Sequence, residues 1–277
     1  MTAAAPGLNA QRAAMSRAMH QILDHPRVFD DPLAVAIAGG ENGIPEEWRS
    51  ADALSLRALA AARSRYAEDE LNRAISRGAT QYVIVGAGLD TYAYRKPDPN
   101  LGVFEVDDPA AQAWKRTRLN AAGIAIPASL AFAPADFEQQ KLAEALAGAG
   151  FQTGEVSFFS WLGVSPYPSA PATLATLGFI GSLPSGSGVV FDYATTRSSV
   201  DAAEETAMNA LASRLSDDDE SLQLFVDSRA LHKLLRSVGF HAFDDLGPAE
   251  IDQRYFNGRT DGLGVPPGPI HLVSARV

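Results

Sequence analysis

The chain has 277 residues, no cysteine and a formal net charge of −10 at pH 7, with 46% hydrophobic and 20% charged residues. This is the composition of a globular protein, and the length allows one large α/β domain. The absence of thiols excludes disulfides, thiolate metal sites and cysteine nucleophiles, and the negative charge disfavours a nucleic-acid partner. No membrane span or secretory signal is recognisable, so we expect a cytoplasmic protein with neither a membrane nor a nucleic-acid partner.

The first part of the chain is predicted to be helical. An alanine- and arginine-rich stretch over residues 51–77 stops at Gly78 and predicts a long helix. We therefore expect residues 1–78 to form an N-terminal helical cap or extension and residues 79–277 to form the core, within a single structural domain.

Strand and helix signals alternate after this helix. Strands are predicted at 82–85, 101–106, 129–133, 155–163 and 186–194. Helices are predicted after the second, third and fourth strands, and the first of them has Asp108 at the N-cap, Pro109 at N1 and Gly123 beyond its end. This alternation predicts a parallel, doubly wound sheet with helices on both faces.

The last part of the chain departs from that alternation. Its predicted elements are a polar helix, an acidic loop, a further helix and two strands, at 199–214, 216–220, 228–239, 240–246 and 270–277. The two strands are expected to form an antiparallel hairpin that closes the sheet edge, with a loop at 258–269 between them.

A glycine turn, Gly86-Ala87-Gly88, directly follows the first predicted strand. Glycines permit positive φ and let a ligand approach the backbone, and ligands of open α/β sheets bind beyond the carboxyl ends of the strands. The turn therefore predicts either a nucleotide-like ligand or only a tight connection to a helix. Thr91 occupies the third glycine position of G-x-G-x-x-G, so the dinucleotide pattern is incomplete.

Acidic residues follow the second and third strands. Asp107 comes about 20 residues after the turn, the offset at which a carboxylate binds ribose hydroxyls, although Asp107 or Asp108 could instead cap the next helix. Asp136 could bind the adenine amine while Phe137 frames the ring, or the two could be an N-cap and a core aromatic residue.

Three further residues are candidates for ligand contact. Arg63 lies on the inward face of the long helix and requires a carboxylate, from either an internal acid or an amino-acid-like ligand. Trp161 and Tyr167, around the end of the fourth strand, could line an apolar substrate pocket or belong to the core.

Other chemistries find little support in the sequence. The five histidines have no metal-ligand spacing, and no G-x-S-x-G elbow indicates a hydrolase. A glycine turn without the dinucleotide pattern, a ribose acid, an adenine acid and an inward arginine together describe a ligand with adenosine and an amino-acid carboxylate. That ligand is S-adenosylmethionine.

The sequence resembles the leucine carboxyl methyltransferase-like family, including its bacterial polyketide O-methyltransferase branch. The strings that carry the resemblance are FDDPLA (29–34), AARSRYAEDEL (61–71), VGAGLDTYAYR (85–95), VFEVDDPAAQAWKRTRL (103–119), PADFE (134–138) and FDYA (191–194). The resemblance implies a Rossmann-like class I methyltransferase fold, with a seven-stranded, mostly parallel sheet and an N-terminal helical cap, and S-adenosylmethionine as cofactor.

The resemblance also implies roles for single residues. The implied cofactor contacts are Arg63 for the methionine carboxylate, Gly86 for the methionine part, Asp107 for the ribose, and Asp136 with Phe137 for the adenine. Ala87 and Gly88 of the same turn are also expected to bind the cofactor. Leu162 stands where the carboxyl methyltransferases of the family have a glutamate, so a C-terminal leucine substrate is not implied.

We therefore expect an S-adenosylmethionine-dependent O-methyltransferase that acts on a carboxylate or hydroxyl of a small molecule, in secondary metabolism. A carboxylate acceptor needs no base, whereas a hydroxyl acceptor needs one, for which His20, His25 and Tyr167 are candidates. Two alternatives stay open: a nicotinamide-dependent oxidoreductase on the same kind of sheet, and a non-catalytic S-adenosylmethionine-binding module.

Overall fold

The computed structural model describes residues 8–50, 53–136, 141–163, 170–195 and 225–277. The strands are β1 (Gln81–Val85), β2 (Gly102–Asp107), β3 (Leu130–Pro134), β4 (Ser157–Trp161), β5 (Gly188–Thr195), β6 (Phe225–Val226), β7 (Ala242–Leu246) and β8 (Ile270–Arg276). The helices are α1 (Leu8–Leu23), α2 (Ala34–Ala38), α3 (Leu54–Ser76), α4 (Tyr92–Arg95), α5 (Pro109–Ala121), α6 (Leu142–Gly148), α7 (Ala170–Gly181), α8 (Ser228–Ser237) and α9 (Pro248–Tyr255).

The strands form one sheet in the order β3-β2-β1-β4-β5-β8-β7. Neighbours from β3 to β5 are parallel, whereas β8 is antiparallel to both β5 and β7. The two-residue β6 pairs in parallel with the end of β5. Apart from this short strand, the predicted seven-stranded, mostly parallel sheet is confirmed.

Helices cover both faces of the sheet, which explains why every residue of β1, β4 and β5 is buried. One core cluster lies between the sheet and α3, and a second lies between the opposite face and α6, α7 and α8. Successive residues of a strand point to opposite faces, so the apolar runs of the central strands supply both clusters.

The N-terminal helices pack against each other and against the segment that follows β1. Ala18 and Met19 of α1, together with α2 and Trp48, form a separate buried cluster. The Arg17 guanidinium of α1 donates a 2.6 Å hydrogen bond to the Leu89 carbonyl, just beyond the glycine turn. The N-terminal region is therefore fastened directly to the turn.

A buried carboxylate strengthens this attachment. Asp31 is fully buried, accepts a 2.7 Å hydrogen bond from the Thr91 hydroxyl and lies 3.2 Å from Nε of Arg95. Arg95 also pairs with Glu68 of α3. The acid from the FDDPLA string thus connects the N-terminal segment to α4, and α4 is connected in turn to α3.

Some predicted boundaries are wrong. The long helix begins at Leu54 rather than near residue 51, and α6 begins after Lys141, so Asp136 is not its N-cap. Helix α9 was not predicted, although Pro248 at its first position is a typical start signal.

The C-terminal strands form the antiparallel part of the sheet. The strands β7 and β8 are antiparallel as predicted, but β8 lies between β5 and β7, so β7 is the edge strand. The predicted polar helix at 199–214 and acidic loop at 216–220 lie outside the described residues. Within the described ranges, no helix has the length and apolar composition needed to cross a bilayer.

Candidate functional site

The predicted cofactor residues that the structure describes lie along the carboxyl edge of the sheet. In strand order, the edge carries Asp136 after β3, Asp107 at the end of β2, the glycine turn after β1, Gly163 after β4 and Asp192 near the end of β5. Adjacent strands are about 4.8 Å apart, so this row extends over roughly 19 Å. Phe137 and Tyr167 lie outside the described residues.

The glycine turn requires its glycines. Gly86 and Gly88 have φ values of 66° and 45°, which side chains rarely allow. The N–H groups of Gly86 and Ala87 both donate to the Val106 carbonyl, at 2.8 and 3.1 Å. A β-carbon on Gly88 would stand 3.2 Å from that of Ala10 in α1. The turn is therefore held tightly between the end of β2 and α1.

Asp107 and Asp108 have different structural roles. The Asp108 carboxylate accepts a 2.8 Å hydrogen bond from Ala110 N and caps α5, so the helix cap is not Asp107. The two Asp107 oxygens accept from Gly88 N at 2.6 Å and Asp108 N at 2.8 Å. Burial raises the pKa of Asp107 in spite of these two bonds. Asp107 is thus a half-buried carboxylate bonded to the turn.

Asp136 lies beside Asp107 at the neighbouring strand end. The backbone N–H of Ala135 donates a 2.9 Å hydrogen bond to the Asp107 carbonyl, which fixes the exit of β3 against that of β2. Asp136 itself is exposed. The two acids are therefore neighbours on one edge, as a ligand with ribose and adenine would require.

Arg63 forms the internal ion pair that the sequence left open as one alternative. Its guanidinium contacts the Asp192 carboxylate, which is fully buried and also accepts a 2.7 Å hydrogen bond from Gly163 N. The Arg63 Nε is buried without a hydrogen-bond partner among the described residues. A buried guanidinium N–H without an acceptor suits the carboxylate of an amino-acid ligand, so this part of the edge fits S-adenosylmethionine.

Asp192 itself was missed as a site residue. The only acid in β5 interrupts an otherwise apolar strand, GVVFDYAT, and that interruption is the signal that would have identified it. A buried carboxylate requires a partner, and an arginine on the inward face of a helix is a suitable one.

Trp161 is a core residue in this structure. Its side chain is 1% exposed and its ring centroid lies 6.4 Å from that of Phe191, within the cluster covered by α6, α7 and α8. Leu162, at the position of the family glutamate, is half-buried and packs against the opposite cluster. A role for Trp161 in a substrate pocket stays a prediction.

The structure argues against His20 as a base. Nδ1 of this fully buried ring lies 2.9 Å from Asp24, which also pairs with Arg57. Its Nε2 accepts hydrogen bonds from the backbone N–H groups of Val28 and Phe29, at 3.0 and 3.2 Å. Both ring nitrogens are therefore occupied, so neither can accept a proton from a substrate.

His25 differs from His20 because its side chain is exposed, in the segment just after α1.

Over the ranges that the structure covers, no group of three or more His, Asp or Glu side chains is arranged to hold a metal ion.

Comparison with known proteins identifies related chains. Residues 10–181 match the sequence profile of the family described as "Leucine carboxyl methyltransferase". YktD of Bacillus subtilis (strain 168), which is named as an S-adenosyl-L-methionine-dependent methyltransferase, is 32% identical over 286 aligned positions that cover 91% of each chain. A Mycobacterium sp. (strain JLS) protein named in the same way is 34% identical over 176 residues, 59% of this chain and 66% of its own.

Solved structures share the fold at low sequence identity. The crystal structure of a protein from Thermobifida fusca YX, described as a methyltransferase, superposes with a TM-score of 0.58 at 13% identity and covers 95% of this chain and 93% of its own. The CurJ carbon methyltransferase superposes with a TM-score of 0.52 at 13% identity and covers 96% of this chain and 66% of its own. At these identities the likeness extends to the fold alone.

Proposed function

Because the chain belongs to the leucine carboxyl methyltransferase family and is an S-adenosylmethionine-dependent methyltransferase, we propose that it transfers the methyl group to an oxygen of a small molecule. The acceptor oxygen belongs to a carboxylate or a hydroxyl, and the reaction belongs to secondary metabolism, as the resemblance to the polyketide branch implies. The observation that carries the proposal is the row of polar groups along the carboxyl edge. Their order matches adenine, ribose and amino acid in one extended ligand.

The proposed cofactor contacts are Asp136 and Phe137 for the adenine, Asp107 for the ribose, Gly86, Ala87 and Gly88 for the methionine part, and Arg63 for its carboxylate. S-adenosylmethionine supplies the activated methyl group and its own leaving group. The chain's residues then have to orient the two reactants and exclude water. The contact of α1 with the glycine turn supports a covering role for the N-terminal helices.

The net charge of −10 supports a small-molecule acceptor rather than a nucleic acid. We propose that the protein acts in the cytoplasm without a nucleic-acid or membrane partner. We also propose that residues 1–78 are the cap and residues 79–277 the catalytic core of a single domain. The cap binds the core through Asp31 and Arg95, and α3 packs on the sheet.

The proposal is tested with S-adenosylmethionine that carries a trideuterated methyl group. The purified protein is incubated with a mixture of small oxygen, nitrogen and carbon nucleophiles, and the products are identified by mass spectrometry. We expect labelled methyl ethers or methyl esters. Labelled N-methyl or C-methyl products would contradict O-methylation, and binding without any product would indicate the non-catalytic module. Titration with NAD tests the oxidoreductase alternative, for which we expect no binding.

Arg63→Lys is expected to weaken binding of S-adenosylhomocysteine about tenfold, because lysine retains the charge beside Asp192 but loses the planar fork that binds a carboxylate with two bonds. Methylthioadenosine, which lacks the amino-acid carboxylate, should bind the variant and the unchanged protein equally. Calorimetric titration of both ligands checks this. An equal loss for both ligands would mean that Arg63 acts only through the internal ion pair.

A further inference from the structure

A cluster of polar side chains lies at the carboxyl edge on the face of the sheet that α6, α7 and α8 cover. Its members are Tyr193 of β5, Ser228 and His232 of α8, Asp245 of β7 and His271 of β8. Tyr193 and His271 are register partners, and their ring centroids are 5.2 Å apart. The cofactor contacts proposed above use none of these residues.

Asp245 is the centre of the cluster. Its Oδ1 lies 3.1 Å from Nδ1 of His271, and its Oδ2 lies 2.7 Å from both Nε2 of His232 and the Tyr193 hydroxyl. Burial opposes ionisation, but the hydrogen bonds from His271, Tyr193 and His232 outweigh it, so the pKa of Asp245 lies below its ordinary value. The cluster is therefore built around a carboxylate that stays charged.

These bonds fix the protonation of the His271 ring. The Tyr193 hydroxyl gives its only proton to Asp245, which leaves Nδ1 of His271 as the donor to the other carboxylate oxygen. In the uncharged form of the ring, the lone pair is then on Nε2. No described residue bonds this nitrogen, and the side chain is 22% exposed. His271 thus has the arrangement of a histidine base oriented by a carboxylate.

His232 does not share this arrangement. It uses Nε2 to bind Asp245, and its ring stacks on Phe243 with the centroids 5.4 Å apart. The two histidines differ in position, because His271 lies on β8 beside β5 whereas His232 lies on α8.

His271 lies near the row of candidate cofactor residues along the carboxyl edge, here called the cofactor row. This position suits a base that takes a proton from the methyl acceptor. Tyr193, its register partner, directly follows Asp192, which pairs with Arg63 on the opposite face. Strand β8 adjoins β5 and is two strands from β4, a distance of roughly 10 Å. His271 therefore lies at the same edge of the sheet as the cofactor row.

We propose that His271 is the general base for methyl transfer and that the acceptor is therefore a hydroxyl group, phenolic or alcoholic, rather than a carboxylate. This inference rests on the O-methyl transfer proposed above. The acceptor O–H bond breaks and its proton goes to Nε2 of His271. The oxygen electron pair forms the new O–CH₃ bond while the S–CH₃ bond breaks and leaves its electron pair on sulfur.

Charged and titratable groups face His271 from each neighbouring element. They are Tyr193 from β5, Asp245 from β7, His232 from α8 and Glu250 from α9. A β-carbon added to the glycine before α9 would stand 2.9 Å from the Glu250 carboxylate and 3.3 Å from the His271 ring, so both groups lie beside this glycine. The carboxylates of Asp245 and Glu250 both stabilise the imidazolium that proton transfer creates.

The test compares two histidine variants. His271→Asn retains a donor for Asp245 but removes Nε2, and His241→Asn changes an exposed histidine just before β7 as a matched control. Each protein is given 2-naphthol or 2-naphthoate, which share a ring system but differ in the acceptor group. Calorimetric titration with S-adenosylhomocysteine checks that each variant keeps the cofactor site.

We expect transfer to 2-naphthol and none to 2-naphthoate, with kcat measured over a range of pH. His271→Asn should lower kcat by about 100-fold and change the pH profile of kcat, with KM little changed, whereas His241→Asn should keep both kcat and the pH profile. Transfer to 2-naphthoate, transfer to neither compound, or an unchanged pH profile in His271→Asn would overturn the inference.

Histidine-ring NMR gives a readout that needs no acceptor. We expect the uncharged His271 ring to carry its proton on Nδ1, and a proton on Nε2 instead would overturn the inference. If S-adenosylhomocysteine fails to bind the unchanged protein, the proposed function fails. If it binds while His271→Asn keeps full activity, only the role of His271 fails.

Discussion

Lys115→Met is expected to lower the free energy of unfolding by about 3–5 kcal/mol at pH 8, because it leaves a buried carboxylate without its counter-ion. Glu105 of β2 and Lys115 of α5 are each 1% exposed, and Nζ lies 2.7 Å from Oε2. The Tyr94 hydroxyl donates a 3.3 Å hydrogen bond to the same carboxylate. This is the largest change in the free energy of unfolding among our predictions.

The loss should depend on pH. Burial raises the pKa of Glu105 to about 7, although Lys115 lowers it. Because the folded-state pKa is raised, the protonated Glu105 carboxyl contributes stability that is fully present below the unfolded-state pKa of 4.5. This stability is lost as the pH rises through about 7. Without Lys115, the pKa rises further, so the variant should lose more stability between pH 5 and pH 8 than the unchanged protein does.

Urea unfolding at pH 5 and pH 8 measures both effects. Glu105→Gln combined with Lys115→Met is the control, because the amide retains an acceptor for Tyr94 while no charge remains buried. We expect this double variant to recover most of the stability at pH 8. An equal loss at the two pH values, or no recovery in the double variant, would refute the role of the ion pair.

Asp107→Ala is expected to weaken binding of S-adenosylhomocysteine by about 2–3 kcal/mol, roughly 30- to 150-fold, because hydrogen bonds from ribose hydroxyls to a charged acceptor are lost. The same change removes the acceptor for Gly88 N and loosens the turn beside the ligand. Calorimetric titration measures the affinity. Because burial raises the pKa of Asp107, binding should weaken on acidification at a higher pH than for an ordinary aspartate.

Asp108 provides the matched control for Asp107. The two acids are adjacent, but Asp108 caps α5 through Ala110 N. Asp108→Ala should therefore lower stability by about 1 kcal/mol and leave the affinity unchanged. Equal affinity losses in the two variants, or a full affinity in Asp107→Ala, would exclude Asp107 as the ribose ligand.

Local signals in the sequence determined the class of fold and most of the candidate cofactor residues. Apolar runs bounded by turns marked the central strands, and Asp108, Pro109 and Gly123 marked the ends of α5. The glycine turn and the acids at the strand ends followed from the rule that parallel strands present their carboxyl ends at one edge. These features could be predicted because each depends on a few consecutive residues. Helix α9 was the exception, although its start signal was present.

Tertiary structure alone decided the pairings between residues far apart in the chain. The sequence left open whether Arg63 meets an internal acid, and only the packing of α3 on β5 brings Asp192 to it. The insertion of β8 between β5 and β7 likewise assembles Tyr193, Asp245 and His271, which appear unrelated along the chain. Strand order and register determine which polar side chains meet, and both are set by the burial of the two sheet faces. The local periodicity of the sequence does not contain this information.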